Sequence, residues 1–303
     1  MKSLKLLNFF SCYGHNGDIH FSREYIKHLM KFIPAEKCIY SHAQSRRNIL
    51  DIPNLEFVLR SAPCDQNLLW ARVGDVLHIN TWPGCRNWKY MGNWLRKHPH
   101  EGAFVLANHQ MYSELINEIH SVGIHVPPLK PLLHYVPTID YSFYETANID
   151  KFMSENPERI KILVCNGPCR SWQITNFNFD DFLSRLVKNE KLMIIVTQRT
   201  NVPGVYFTGD IIKVKGGDLN EISYLSKFCN IIIGRGSGPF CYCEVKDNHY
   251  AVNKRFIGIT KDPSWAFWWI NSKIMRWTPH YHTKHLLSLF YRTLAEIRVV
   301  KLL

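Results

Sequence analysis

Residues Asn230 to Glu244 read Asn-Ile-Ile-Ile-Gly-Arg-Gly-Ser-Gly-Pro-Phe-Cys-Tyr-Cys-Glu, an order that predicts a buried strand, a tight turn and a helix. The isoleucine run suits a strand covered on both faces. Gly236 and Gly238 permit the turn and let a ligand approach the backbone closely. Pro239 suits the first helical position, because its missing N–H would be unpaired there anyway. The amides that open such a helix, with Ser237 beside them, make an anion site. Glu244 stands five residues after Pro239, about 7.5 Å along a helix. At that distance a carboxylate can accept hydrogen bonds from ribose hydroxyls while a diphosphate sits at the helix end.

The surrounding sequence repeats the alternation of apolar run and amphipathic segment, the pattern of a parallel sheet covered by helices. In the second half the expected strands are 160–165, 192–196, 211–214, 231–233 and 256–259, with helices at 180–188 and 219–228. Asp218 and Glu221 have the spacing of a capping box. In the first half strands are expected at 4–10, 38–40, 56–59, 76–80 and 104–107, and helices up to Ile33, over 86–98 and over 111–122. The texture changes between 138 and 158, where we place the domain junction. The expected domains are 1–145 and 146–285, with 286–303 a helix packing back on the first.

Composition bounds the rest. The 303 residues are 46% apolar and 20% charged, which is globular. No run approaches the roughly 20 apolar residues that span a bilayer, and the start lacks a small-residue cleavage site, so a cytoplasmic protein is expected. Nine cysteines, an odd number scattered through strands and loops, read as reduced thiols rather than a disulfide framework. Cys241-Tyr-Cys243 is too tightly spaced for the usual zinc pair, and His280, His282 and His285 read as a solvated cluster, so no metal is assigned. The net charge of +12 points to a polyanionic partner: a sugar nucleotide, an anionic glycan, an anionic membrane surface or nucleic acid.

The Ser237-Gly238 to Glu244 stretch resembles the donor motif of GT-B glycosyltransferases. It is similar to the pattern of bacterial peptidoglycan N-acetylglucosaminyltransferases, in which Arg-Ser-Gly-Ala is followed by Glu six residues after the Gly. The run from Asp218 to Asn230 resembles the approach to the corresponding turn in lipopolysaccharide heptosyltransferases. Those enzymes carry Thr-Gly-Pro-x-His, where this chain has Ser-Gly-Pro-Phe-Cys. The resemblance implies an α/β GT-B fold: two Rossmann-like parallel-sheet domains facing a cleft, the first on the acceptor side and the second holding the donor. It implies diphosphate contact by Ser237 and Gly238 and ribose contact by Glu244. Arg170, after the first strand of the second half, and Arg199, after the next, are candidates to neutralise the phosphates.

In the first half, Gly17 and Asp18 follow the first strand in a loop that resembles the heptosyltransferase Gly-Asp loop. Transfer needs a base to take the proton of the attacking hydroxyl, and Asp18 and His15 are the candidates; Asp18 equally suits a helix cap. Trp82 and His109 are expected at other strand ends on the acceptor side, Trp82 stacking on a ring or packing in the core. The aromatic stretch Asp262–Trp277 reads as a packing helix or, more sharply, a peripheral membrane contact.

These readings converge on a glycosyltransferase. It would be metal-independent, since no Asp-x-Asp occurs, and need no cofactor beyond its nucleotide-sugar substrate. The acceptor would be a glycan, a lipid-linked sugar or another hydroxyl. Rival readings are a DNA-modifying glycosyltransferase acting on hydroxymethylated bases, a non-catalytic nucleotide-binding module and an epimerase.

Overall fold

A computed structural model describes residues 3–11, 15–42, 46–59, 65, 67–87, 89–90, 103–129, 136–169, 174–260 and 275–300. The chain divides between Asp140 and Tyr141 into two compact units. Tyr141 belongs to the second because its hydroxyl bonds Ser223 Oγ (2.9 Å) and its ring meets Tyr224 at 5.1 Å.

The first unit contains β1 (Leu6–Phe10), α1 (Asn16–Phe32), β2 (Cys38–His42), β3 (Leu55–Leu59), β4 (Trp70–Val73), β5 (Val76–Asn80) and α2 (Ala103–Ser121). Its sheet runs β3-β2-β1-β5-β4. All pairs are parallel except β4 with β5, which are joined through Gly74 at φ +58°. The first crossover follows from α1, whose Ile19, Tyr25, Ile26 and Leu29 are fully buried at helical spacing. The expected strand 104–107 is instead part of α2. An apolar run alone does not tell strand from helix, and Ala107, Met111, Leu115 and Ile119, four residues apart and all buried, extend the helical stripe back to it. Most of the expected helix 86–98 lies outside the described residues.

The second unit contains α3 (Ala147–Ser154), β6 (Ile160–Cys165), α4 (Asp180–Leu186), β7 (Leu192–Val196), β8 (Tyr206–Phe207), α5 (Thr208–Ile212), α6 (Leu219–Ser226), β9 (Ile231–Arg235), α7 (Gly238–Tyr242), α8 (Lys246–His249), β10 (Arg255–Ile259), β11 (Met275–Thr278) and α9 (Thr283–Val300). Its six strands are all parallel, in the order β8-β7-β6-β9-β10-β11. This is the 3-2-1-4-5-6 order of a doubly wound Rossmann sheet, and the order reverses between β6 and β9. The α/β class and the two Rossmann-like, parallel-dominated sheets are thus both present.

Three expectations need correction here. Residues 211–214 are not a strand: Ile211 and Ile212 close α5, and the strand is the two-residue β8 before it. Asp218 is the N-cap of α6, but its side chain makes no capping bond. The carboxy-terminal helix begins at Thr283 and belongs to the second unit. Leu286, Leu289, Phe290, Leu294 and Ile297 share a core with Ile162, Ile194, Ile231 and Ile257. Each such side chain contributes about 1.5–3 kcal/mol by burial. Among the described residues no helix is long and apolar enough to cross a membrane, and every described cysteine is free of disulfide bonds. The aromatic stretch 262–277 lies almost wholly outside the described residues.

Candidate functional site

The carboxyl end of β9 meets that of β6 where the strand order reverses. Close packing there depends on Gly234. A Cβ at that position would stand 2.6 Å from Cys165 Cβ and 3.1 Å from the Cys165 carbonyl oxygen, so only glycine lets β6, β9 and α7 approach this closely. Gly236 then turns the chain. Ser237 is the N-cap of α7 in extended conformation, its side chain making no capping bond. The residue is only 7% exposed, and its Oγ has no hydrogen-bond partner among the described residues. Gly238 opens the helix and Pro239 occupies its second position, one later than expected. Pro239 has no N–H, and the Ser237 amide donates to the Arg235 carbonyl at 2.6 Å, so the donors left at this helix start are Ser237 Oγ and the amides of Gly238 and Phe240.

Arg235 holds the loops around this turn. It continues the alternation of Ile231 and Ile233, points to the same side of the sheet, and is 2% exposed. Its Nη1 donates to the carbonyls of Asn166 and Gly167, each at 2.7 Å, and its Nη2 to the carbonyl of Phe177. The guanidinium lies over the rings of Phe177 (4.5 Å) and Phe179 (4.8 Å), and burial pushes its pKa below the ordinary value. Cys169 Sγ reaches the Gly236 carbonyl at 3.5 Å. Asn166 pairs with the Gln198 backbone in both directions, 2.8 and 2.9 Å. The loops after β6, β7 and β9 are therefore stitched together. The loops after β6 and β7, with Arg235 at the end of β9, border a pocket of about 330 Å³ lined by Asn166, Pro168, Phe177, Gln198 and Arg199, among others, and not by Gly236 to Pro239.

The expected donor residues divide. Gly236, Ser237, Gly238 and Pro239 form the turn. Arg199 lines the pocket but is 70% exposed, pairs with Asp210 at 2.5 Å and lies over Phe207 at 4.6 Å. Arg170 lies outside the described residues. Glu244 is placed elsewhere than the spacing argument required. The spacing required α7 to run on to Glu244, about one and a half turns past Pro239, but α7 ends at Tyr242 and Glu244 falls between two short helices. It is fully buried, and burial raises its carboxyl well above the ordinary carboxylate range, with Cys243 adding a smaller push. A carboxyl without exposure is not a surface for a ribose.

In the first unit, Asp18 stands in the first turn of α1. It is 8% exposed, and its Oδ2 has no hydrogen-bond partner among the described residues. Burial raises its pKa from 3.8 to about 8. Gly17 precedes it, and His15 is the N-cap, exposed and without a side-chain capping bond; partial burial lowers the imidazole pKa. His42, at the carboxyl end of β2, was missed in the sequence. Burial, and then the charge of His15, lowers it to about 4. Trp82 is 7% exposed, with its ring laid on Gly84, so it packs in the interior rather than offering a stacking face. His109 is not at a strand end but within α2, half-buried, its carbonyl accepting from Ser113 Oγ at 2.8 Å.

Arg235 was also missed, although its place two residues beyond Ile233 was a usable signal. Among the described residues no group of three or more His, Cys, Asp or Glu could hold a metal ion.

Neither a protein-family model nor a curated protein sequence matches the chain. Solved structures do. A glycosyl transferase family 9 protein from Veillonella parvula is 12% identical, with 92% of this chain and 88% of that one covered and a TM-score of 0.48. The E. coli heptosyltransferase WaaC with ADP is 9% identical, with coverage of 95% and 99% and a TM-score of 0.47. The iron-containing dodecameric glycosyltransferase TibC from enterotoxigenic E. coli is 13% identical, with coverage of 93% and 65% and a TM-score of 0.49.

Proposed function

We propose that this chain is a metal-independent glycosyltransferase whose second unit holds a nucleotide-sugar donor by its diphosphate at Gly236-Ser237-Gly238. The observation that carries the reading is the buried Ser237 hydroxyl, without a partner among the described residues, at the point where a Rossmann sheet reverses its strand order. Ligands of open α/β sheets bind at that point. A buried hydroxyl without a partner costs about 1–3 kcal/mol, which a phosphate oxygen would recover. Helix-start amides and cationic side chains can stabilise a leaving diphosphate without a metal.

In this reading the acceptor oxygen attacks the anomeric carbon while the bond from that carbon to the diphosphate oxygen breaks. The electron pair leaves with the nucleoside diphosphate, and the acceptor's proton passes to Asp18. A base is most useful with a pKa near the working pH, and burial brings Asp18 to about 8. A glycan or lipid-linked hydroxyl is the acceptor of first choice. The charge of +12 favours a hydroxymethylated DNA base as the second.

Thermal denaturation with UDP, GDP, ADP and CMP, and with their sugars, tests the donor. A ligand at 100 times its Kd should add about 2.7 kcal/mol of stability. If no nucleotide moves the transition, the reading fails. Binding without sugar transfer would leave a nucleotide-binding module in its place. A gel shift on hydroxymethylated duplex DNA, repeated across salt, separates the two acceptors.

A further inference from the structure

The carboxyl end of α2 carries a pair of histidines held in fixed register. The helix closes with Gly123 at φ +79°. The Gly123 amide bonds the His120 carbonyl and the Ile124 amide bonds the Ile119 carbonyl, both at 3.0 Å, the Schellman pattern of a helix end. Ile119 and Ile124 are fully buried and Val126 is 5% exposed, so the residues flanking each histidine are anchored in the core. The histidines themselves are exposed. Their Nδ1 atoms stand 3.0 Å apart, and the rings are nearly perpendicular at 83° with centroids 4.2 Å apart.

We propose that His120 and His125 form a two-imidazole clamp for a divalent transition-metal ion of the nickel or copper class. Two imidazole nitrogens, each about 2.1 Å from one ion and at a right angle, stand about 3.0 Å apart, whereas a tetrahedral ion would hold them at about 3.4 Å. Right-angled nitrogen sites are the preference of Ni(II) and Cu(II), for which imidazole is a suitable ligand. The negative end of the α2 dipole favours a cation in the last turn. The Schellman turn fixes both backbones in advance, so little ordering is left for the ion to impose. On binding, the proton shared between the two Nδ1 atoms moves to the Nε2 of the same ring, and each Nδ1 lone pair turns to the metal. Water fills the remaining coordination positions. The clamp is independent of the glycosyltransferase reading.

Titration of the full chain with NiCl₂ in a non-coordinating buffer tests it by calorimetry. The expected result is one Ni²⁺ equivalent that weakens at least about tenfold in His120→Gln and in His125→Gln and vanishes in the double variant. It should persist in His280→Gln, which alters the His280–His285 ring pair. Because both side chains are exposed, the variants should keep the wild-type melting temperature, so a lost equivalent reports ligation and not unfolding. Electron paramagnetic resonance of the Cu²⁺ form should show two coupled imidazole nitrogens, reduced to one in either single variant. Wild-type Ni²⁺ affinity in both single variants, or fewer than two coupled nitrogens in the wild type, overturns the clamp.

Discussion

The start of α7 after β9 and the start of α1 after β1 are placed alike in their sheets and equipped differently. Each follows a central parallel strand and opens a helix. Each buries a polar side chain, Ser237 at 7% exposure and Asp18 at 8%, with an oxygen that has no hydrogen-bond partner among the described residues. At β9 that group is neutral and can donate, beside helix-start amides. At β1 it is an acid. A helix start lowers a carboxyl by at most about 2 kcal/mol. Lifting Asp18 from 3.8 to about 8 corresponds to something on the order of 5 kcal/mol the other way, so burial wins. A phosphate suits the first turn and would be repelled by an ionised Asp18 at the second. A neutral hydroxyl suits the second, where a proton can be taken from it. In the proposed reading the start of α7 would therefore take charge and the start of α1 would take a proton.

The largest expected effect comes from breaking the acid turn. Asp18→Asn should lower kcat by about 10² to 10⁴, the range of a lost general base, while the donor Kd stays within about twofold. Unchanged turnover would remove Asp18 from the chemistry. The same variant tests the electrostatics without any substrate. Because the folded pKa is raised, Asp18 favours the native state most below its unfolded pKa near 4, and that contribution is lost as pH climbs toward 8. Asparagine stays neutral throughout. The variant should thus gain on wild type between pH 5 and pH 8, read as a urea midpoint that moves up with pH relative to wild type. A constant offset at both pH values would mean the carboxyl does not titrate in that window.

Breaking the donor turn should cost less. Ser237→Ala removes one hydrogen bond to a charged ligand, about 1.5–3 kcal/mol or roughly 10- to 100-fold in nucleotide Kd, with no change in the pH response of Asp18. Equal nucleotide affinity in the two proteins would sink the Ser237 assignment. Gly234→Ala tests what lets the turn sit so close to β6. The added methyl meets Cys165 at 2.6 Å, and overpacking of that kind costs about 1–3 kcal/mol, to be read as a lower melting temperature. β1 has no such glycine: Phe9 and Phe10 end it, both fully buried, and its packing depends on bulk instead of close approach. A Gly234→Ala variant as stable as wild type would mean that β6 can move aside.

What was legible in the sequence follows from the same contrast between buried and exposed backbone. Every central strand was found, because a strand covered on both faces reads as a continuous apolar run. The strands missed, β4, β8 and β11, all lie at sheet edges. There, half-exposed sequences such as Trp-Ala-Arg-Val and Met-Arg-Trp-Thr carry no such run. The glycine-rich turn at Ser237 was legible because glycine and proline act locally. Glu244 was not, because its position depended on where α7 ends, and residue spacing does not report that. Arg235 was hidden for the opposite reason. A charged residue between glycines reads as loop, and only the period-two alternation with Ile231 and Ile233 shows it to be the last residue of a strand.

The smallest effect bears on whether Arg199 belongs to the donor turn at all. Its pairing with Asp210 involves side chains that are 70% and 58% exposed, and such surface pairs contribute only about 0–1 kcal/mol. Arg199→Ala and Asp210→Ala should therefore each leave the melting temperature nearly unchanged. Their effects on nucleotide affinity should differ in sign if Arg199 leaves Asp210 to meet a phosphate. Removing Arg199 then weakens binding, whereas removing Asp210 frees the guanidinium and tightens it. If both variants bind nucleotide as wild type does, Arg199 is a surface residue that happens to border the pocket. The phosphate charge would then fall to the donors at Ser237 and Gly238, which would raise the expected cost of Ser237→Ala toward the upper end of its range.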